Sequence, residues 1–585
     1  MKILSFDVET ALIEPGNLTP ELICVSLALP NGDTYLHSAD RGASAIEYAL
    51  DDPDYVLVAH NTPFDLAVIA KHRPHLLPKI YAAYAAGRIR CTQTRQEQHD
   101  IRDGLGVQLD EVDPTADARN VIVWRKNRFT GQPLKSGRSL ADLLLYYCDV
   151  DRFAEKKDPN SPRLRYAELR GVDPVDYPPN FRQYAIDDSV DALRVLEAQG
   201  GVELQTNELE QLQRAWVLHL LSCRGLITNE QRVDALARYI EPEYLRLRQQ
   251  LVAEGFYVTE HLTPAKVRDG WTQECVDARG RPARYKLNRK LVRDRVTAAF
   301  AKRGLPPPVS DKGNVKTERD VLVNSGDELL EILGGGGTVG TVHSTFLPTL
   351  RLGIRTPINT KFRLLATGRI SSAVPNVNNS PRSLWTDDQR KELVGQARER
   401  LAAGDRLGAQ QTLDLLDLDV RSCFEPQPGY VYCSVDYDCA ELRALGQVCL
   451  WLFGRSALAE FFQTEPHGDP HLALAADLLG ITYAEAKRRK SAGDPEIKAM
   501  RQACKAYNFG FPGGLGPDRF MELARKQYGV HVRRGEAVRR KEQWLRRWSE
   551  MRRYFEHANR RTANGNSDLM QLRPGRRPGE YGPML

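Results

Sequence analysis

Residues 436–443 read DYDCAELR and residues 501–514 read RQACKAYNFGFPGG, and the expected fold of most of the chain hangs on these two stretches. Ahead of the first, VYCSV at 431–435 is short, apolar and β-branched at both ends, which predicts a strand delivering Asp436 at its tip. From Cys439 onward the pattern is helical. In the second stretch Arg501, Lys505 and Phe509 stand at i, i+4 and i+8, one stripe along a helix. A carboxylate at a strand end, followed by backbone amides, suits a phosphorylated ligand and its metal ions.

Working outward, 585 residues suffice for about four domain-sized units. The apolar fraction of 42% beside 27% charged is ordinary for a globular chain, and apolar runs such as 448–453 are too short to span a bilayer, so no membrane role is expected. Residues 1–9 carry one lysine and ILSFDVE rather than a long apolar region with a cleavage site. The expected location is cytoplasmic, the host cytoplasm if the chain is viral. Ten cysteines stand singly, without a CxxC pair, which predicts reduced thiols and no zinc. The net charge is +6, yet residues 531–585 hold 14 Lys and Arg against 6 Asp and Glu, a candidate phosphate-facing surface.

At the N-terminus, residues 2–8 alternate and predict a strand ending in Asp7 and Glu9, which at i and i+2 point to one face. Two adjacent acids repel unless a cation sits between them. Residues 56–70, VLVAHNTPFDLAVIA, read as a strand, a polar turn with Asn61, and a helix from near Asp65. Residues 184–193, YAIDDSVDAL, place Tyr184 and Asp188 on one helical face, with Asp187 as an exposed neighbour.

The order DxE, NxxxD, YxxxD resembles the three motifs of DEDD nucleases in their tyrosine form, the proofreading domain of family A (DNA polymerase I-like) polymerases. The resemblance implies that Asp7, Glu9, Asp65 and Asp188 hold two divalent ions, Mg²⁺ or Mn²⁺, about 4 Å apart. Tyr184 would orient the attacking water, and Asn61 would contact the DNA strand. Residues 152–169, which interleave Arg and Lys with Phe153 and Tyr166, read either as a guide for single-stranded DNA or as a solvated insertion.

DYDCAELR and RQACKAYNFGFPGG resemble the first two polymerase motifs of the same family. By that resemblance Asp436 binds both metals of the palm, and Tyr437 and Glu441 lie beside the nucleotide, Glu441 excluding a ribose 2'-hydroxyl. Arg501 and Lys505 would grip the β- and γ-phosphates, Phe509 would stack on sugar and base, and His471 in HGDPHLAL matches a position near the incoming nucleotide. TGRISSAVPNVNN at 367–379 is similar to the segment that meets the primer-template minor groove, through Arg369, Asn376 and Asn378. Gly513 departs from the usual Tyr and suggests a phage-type branch. No preceding 5'-nuclease domain is seen, which fits that branch.

The family's third motif, a His-Asp-Glu turn with the second palm carboxylate, is not found after Arg501. The expected architecture is an α/β exonuclease domain at 1–205, ribonuclease H-like with a mixed sheet and flanking helices, then a mainly α, α+β polymerase module. Palm entry and thumb fall at 206–380, an incomplete palm at 381–450 and fingers at 451–585. Residues 241–254 and 287–303 are expected thumb helices, and 306–308 and the glycine run 334–337 are expected linkers or turns. The leading expectation is a split DNA polymerase that binds primer-template DNA and dNTPs and is completed by a small C-terminal subunit, with a processivity factor as a further candidate partner. Two alternatives stay open: an active exonuclease with a non-catalytic primer-template clamp, and an inactive truncated product.

Overall fold

The computed structural model describes residues 1–102, 123–126, 128–153, 158–264, 266, 273–310, 313–364, 370–381, 383–385, 387–528, 530 and 532–563. Its N-terminal part is built on five strands, β1 (Lys2–Thr10), β2 (Leu22–Ala28), β3 (Thr34–Ser38), β4 (Tyr55–Ala59) and β5 (Ile89–Cys91), in the order β3-β2-β1-β4-β5. β1 pairs antiparallel with β2 and parallel with β4, so the sheet is mixed, as the sequence led us to expect.

Alternation along β1 divides the core. Leu4, Phe6 and Val8 pack with Ile46, Leu66, Ile69 and Ile80 from the helices Ala39–Asp51, Thr62–His72 and Leu77–Ala85. Ser5, Asp7 and Glu9 take the opposite face, under the helix Pro179–Ala198, where the Ser5 hydroxyl donates to the Ser189 carbonyl at 2.6 Å. A strand buried on both faces must put its polar residues where something answers them.

The helix Glu208–Arg224 joins this unit to the rest: Trp216 stacks on Tyr84 at 5.3 Å between ring centroids, and Arg95 and Glu208 form a fully buried ion pair at 2.9 Å. Beyond β8 (Ile227–Thr228) the chain is mostly helical. The helix Glu230–Ala253 is followed by a three-stranded antiparallel sheet of β9 (Tyr257–His261), β10 (Cys275–Val276) and β11 (Pro282–Leu287), and then by the helix Arg289–Lys302. A separate core gathers the helices Ala440–Phe453, Ala457–Thr464, Pro470–Leu479, Pro495–Gly510, Pro517–Tyr528 and Arg534–Arg547 around Phe511, Phe520 and Trp544.

Two local expectations fail. The glycine run 334–337 lies inside the helix Glu328–Thr341 rather than in a turn. Each helical Gly costs about 1 kcal/mol against Ala, but Gly334 lies so near Leu322 that a Cβ would come within 2.8 Å of the Leu322 Cβ, and close helix approach offsets the propensity. Residues 431–435 do not form a strand: 431–437 run without regular structure, and no backbone group there hydrogen-bonds to a described residue. Val431 is 85% exposed and Val435 78%. An isolated extended segment has no ladder to join, so apolar alternation alone does not make a strand.

Candidate active sites

The first site lies at the end of β1. Asp7 and Glu9 leave the strand on one face, Asp65 sits in the first turn of the helix Thr62–His72, and Tyr184 and Asp188 come one turn apart from the helix Pro179–Ala198. One carboxylate oxygen each from Asp7, Glu9 and Asp188 lies within 4.8 Å of the others. Asp65, 2% exposed, lines the same cleft with Tyr184. Burial, and then the Asp188 charge, raises the Asp7 and Glu9 carboxyls well above the usual range, and burial does the same to Asp65. Burial also pushes the Tyr184 phenol up, so it is a hydrogen-bonding hydroxyl rather than a phenolate.

Glu9 Oε1 and Asp65 Oδ2 are buried without a hydrogen-bond partner among the described residues. Acceptor oxygens left this way cost free energy unless a cation or donor answers them. Hard oxygen ligands of this kind fit Mg²⁺ or Mn²⁺. Asn61 holds a left-handed conformation, φ 62°, at the start of the Thr62–His72 helix, and lines the cleft. Asp187 is not simply exposed as expected: it is half-buried, pairs with Arg152 at 3.1 Å and lines the cleft. Arg163, missed by motif reading, stands at the rim and favours the charged form of Glu9. Only its place in an Arg-rich insertion signalled it.

The second site centres on the helix Pro495–Gly510. Arg501, Lys505 and Phe509 lie half-buried along its side as one stripe, and Phe509 meets the His471 ring at 5.2 Å. Asp469, also missed, caps the helix Pro470–Leu479 and takes the Arg501 guanidinium, with Lys490 at 3.0 Å. Burial alone would raise the Asp469 carboxyl, but those two cations hold it below its usual range. The Asp-Pro pair in HGDPH, a helix-start signal, could have revealed it.

His471 is buried, and its Nδ1 lies 3.0 Å from Asn508 Nδ2. The indole N–H groups of Trp544 and Trp548 donate to Asn508 Oδ1 at 2.9 and 3.0 Å, which fixes the amide orientation. His471 Nδ1 therefore accepts, and the ring is neutral with its proton on Nε2. Burial pushes the imidazole down to about 4, Asp469 opposing and Arg501 and Lys505 adding to the shift.

The other predicted residues are less gathered. Glu441 opens the helix Ala440–Phe453, whose preceding residue Cys439 feels the charges of Asp469 and Arg501, so this helix start lies near the Arg501 cluster. Asp436 and Tyr437 are exposed on the unpaired segment, Tyr437 by 81%, and neither makes a hydrogen bond or ion pair with a described residue. The Asn376 side chain accepts from the Asn379 backbone N–H, and Asn378 Nδ2 lies 3.4 Å from the Ile370 carbonyl, so both fold back on their own loop. Arg369 lies outside the described residues.

The fold has a counterpart among solved structures. It is similar to the POL domain of Pol1 from M. smegmatis, solved in complex with DNA primer-template and dNTP, with a TM-score of 0.52 and 16% identity over 96% of this chain and 76% of that chain. Residues 296–573 match the family described as DNA polymerase family A. No curated protein matches the sequence. No helix among the described residues is long and apolar enough to cross a membrane.

Proposed function

We propose that the chain is a DNA-templated DNA polymerase subunit with its own proofreading 3'–5' exonuclease. The observation that carries the nuclease is the meeting of Asp7, Glu9, Asp65 and Asp188 in one cleft, with two buried oxygens unanswered. These four would hold two Mg²⁺ or Mn²⁺ ions, which when bound polarise a phosphoryl oxygen and lower the pKa of water. Tyr184 positions the attacking water through its hydroxyl, and Arg163 and Arg152 at the rim meet the phosphodiester. For polymerisation, Arg501 and Lys505 neutralise the triphosphate, Phe509 stacks on the nucleotide, Glu441 excludes a 2'-hydroxyl and Asp436 is one palm ligand. Arg501 exchanges Asp469 for phosphate when a nucleotide arrives.

The open segment 431–437 supports a further part of the proposal. Its bare N–H and C=O groups beside exposed Val431 and Val435 are what an added strand covers. That strand belongs to a hairpin carrying the second palm carboxylate, supplied by a separate small chain. The test is primer extension and primer degradation by these 585 residues in Mg²⁺, with and without such a chain. Degradation of the 3' end that is lost on Asp7→Ala is expected, with extension only in the mixture. Extension by the 585 residues alone would overturn the shared palm, and no degradation in Mg²⁺ or Mn²⁺ would overturn the nuclease.

A further inference from the structure

A second cavity, about 250 Å³ in volume, opens beside the carboxylate cleft and shares Ile13, Asn61, Phe64 and Gln93 with it. Its other walls come from outside the five-stranded sheet. The helix Glu208–Arg224 turns Gln211, Arg214 and Leu218 toward it at i, i+3 and i+7, and the strand Lys361–Leu364 adds Phe362. The cavity therefore sits where the nuclease-like unit meets the part of the chain that matches family A polymerases.

Two polar groups in it are left unanswered. Gln211 is 6% exposed, and its Oε1 is buried with no hydrogen-bond partner among the described residues. Arg214 is half-buried and makes no hydrogen bond or ion pair with a described residue. Burial pushes its guanidinium down, and the carboxylate that opposes this, Glu97, is taken by Arg138 at 3.0 Å. A buried acceptor and a half-buried cation without partners each cost free energy until a donor and an anion arrive. Rings complete the lining: Phe64 meets the His219 ring edge-on at 6.3 Å between centroids, and Phe362 borders the same space. Aromatic walls beside a guanidinium and a spare amide oxygen suit a base and a phosphate together.

We infer that this cavity binds a free deoxynucleoside 5'-monophosphate, the product of 3'-end degradation, with its phosphate on Arg214 and a base N–H on Gln211 Oε1. The inference rests on the nuclease reading above. Hydrolysis of the last phosphodiester breaks the bond from phosphorus to the preceding 3' oxygen, which takes a proton, and the phosphate stays on the released nucleotide. The cavity is smaller than the about 300–1,000 Å³ usual for ligand pockets, which favours one nucleotide over a strand. Through the four shared residues a held product crowds the next 3' end, so degradation becomes sensitive to its own product.

The test is calorimetric titration of the full chain with dAMP in a metal chelator, where the bare carboxylates of the cleft repel the phosphate. Saturable binding is expected, weakened about tenfold or more by Arg214→Gln and by Gln211→Leu. Gln211→Leu removes an unanswered oxygen, so it should keep or raise the thermal midpoint of the empty chain, which separates lost binding from lost folding. In Mg²⁺, added dAMP should slow 3'-end degradation by the unaltered chain more than by Arg214→Gln. No saturable binding at millimolar dAMP would overturn the inference, as would binding lost on Asp7→Ala but kept in Arg214→Gln. Inorganic phosphate binding as tightly as dAMP would reduce the cavity to an anion site and overturn it too. A single-stranded oligonucleotide that displaces dAMP and loses as much affinity on Arg214→Gln would assign the cavity to the strand instead of the free product. Arg214-dependent dAMP binding in a chain that degrades no 3' end would support the cavity and overturn the nuclease reading.

Discussion

Asp7 and Asp436 are the same group at the end of similar apolar runs, yet their surroundings differ completely. Asp7 leaves a strand paired on both sides, under a helix that brings Asp188 to it. Asp436 leaves a segment with no pairing among the described residues. A strand-end carboxylate becomes a site only when its neighbours fix where it points and what it faces. In the first region every neighbour is present among the described residues; in the second, the helices around Arg501 are packed while the segment that carries Asp436 is bare.

The largest expected effect tests the built side of this contrast. Asp188→Asn should lower 3'-end degradation of an oligonucleotide by about a thousandfold or more, as loss of a metal ligand and of one charge in the cluster. Tyr184→Phe should cost about tenfold, since the ring stays and only the orienting hydroxyl goes. Equal, small losses in both would break the comparison by showing that the quartet is structural. On the bare side, Val435→Lys should weaken extension in the completed mixture by about 10- to 100-fold, the worth of one buried valine. Amide exchange should be fast at 431–437 in the chain alone and slowed by the partner; unchanged exchange in an actively extending mixture would place the missing strand elsewhere.

Metal binding sharpens the same contrast at smaller scale. The Asp7, Glu9 and Asp65 carboxyls are raised by burial and by the nearby Asp188 charge, so the folded chain keeps protons that the unfolded chain releases near pH 4. Stability of the metal-free protein should therefore fall as pH rises from about 4 through the raised values. Mn²⁺ or Mg²⁺ replaces those protons. Saturating ion should add about 3 kcal/mol at pH 8 and much less at pH 5, read as a shift in thermal midpoint. A shift of equal size at both pH values would separate the ion from the carboxylates.

The sequence made the first region legible because its signals are local: a period of two in β1 set Asp7 and Glu9 on one face, and a spacing of four joined Tyr184 to Asp188. The stripe Arg501, Lys505, Phe509 was legible for the same reason. The rest depends on distant neighbours. Whether 431–435 is a strand is decided by what lies beside it, and the glycine run 334–337 is helical through contact with Leu322. Asp469 and Asn508 escaped notice because a cap and a buried amide look like any other Asp and Asn until Arg501, Trp544 and Trp548 converge on them.

The last effect concerns how firmly the helices around Arg501 are held while the segment 431–437 is open. Asn508 satisfies two indole N–H groups and a neutral His471, so His471 cannot take a proton at Nδ1 without facing the Asn508 amide nitrogen. Unfolded, the imidazole protonates near 6.5, and folded at about 4. Between those values the unfolded chain binds the extra proton, so stability should drop as pH falls across that window, by up to about 3 kcal/mol, and be unaffected by this group above it. His471→Gln, which keeps an acceptor but no titration, should abolish this part of the pH slope in denaturant unfolding followed by Trp544 and Trp548 fluorescence. If the slope persists in that variant, the proton enters elsewhere and the polar hub is not what holds the helices around Arg501 together.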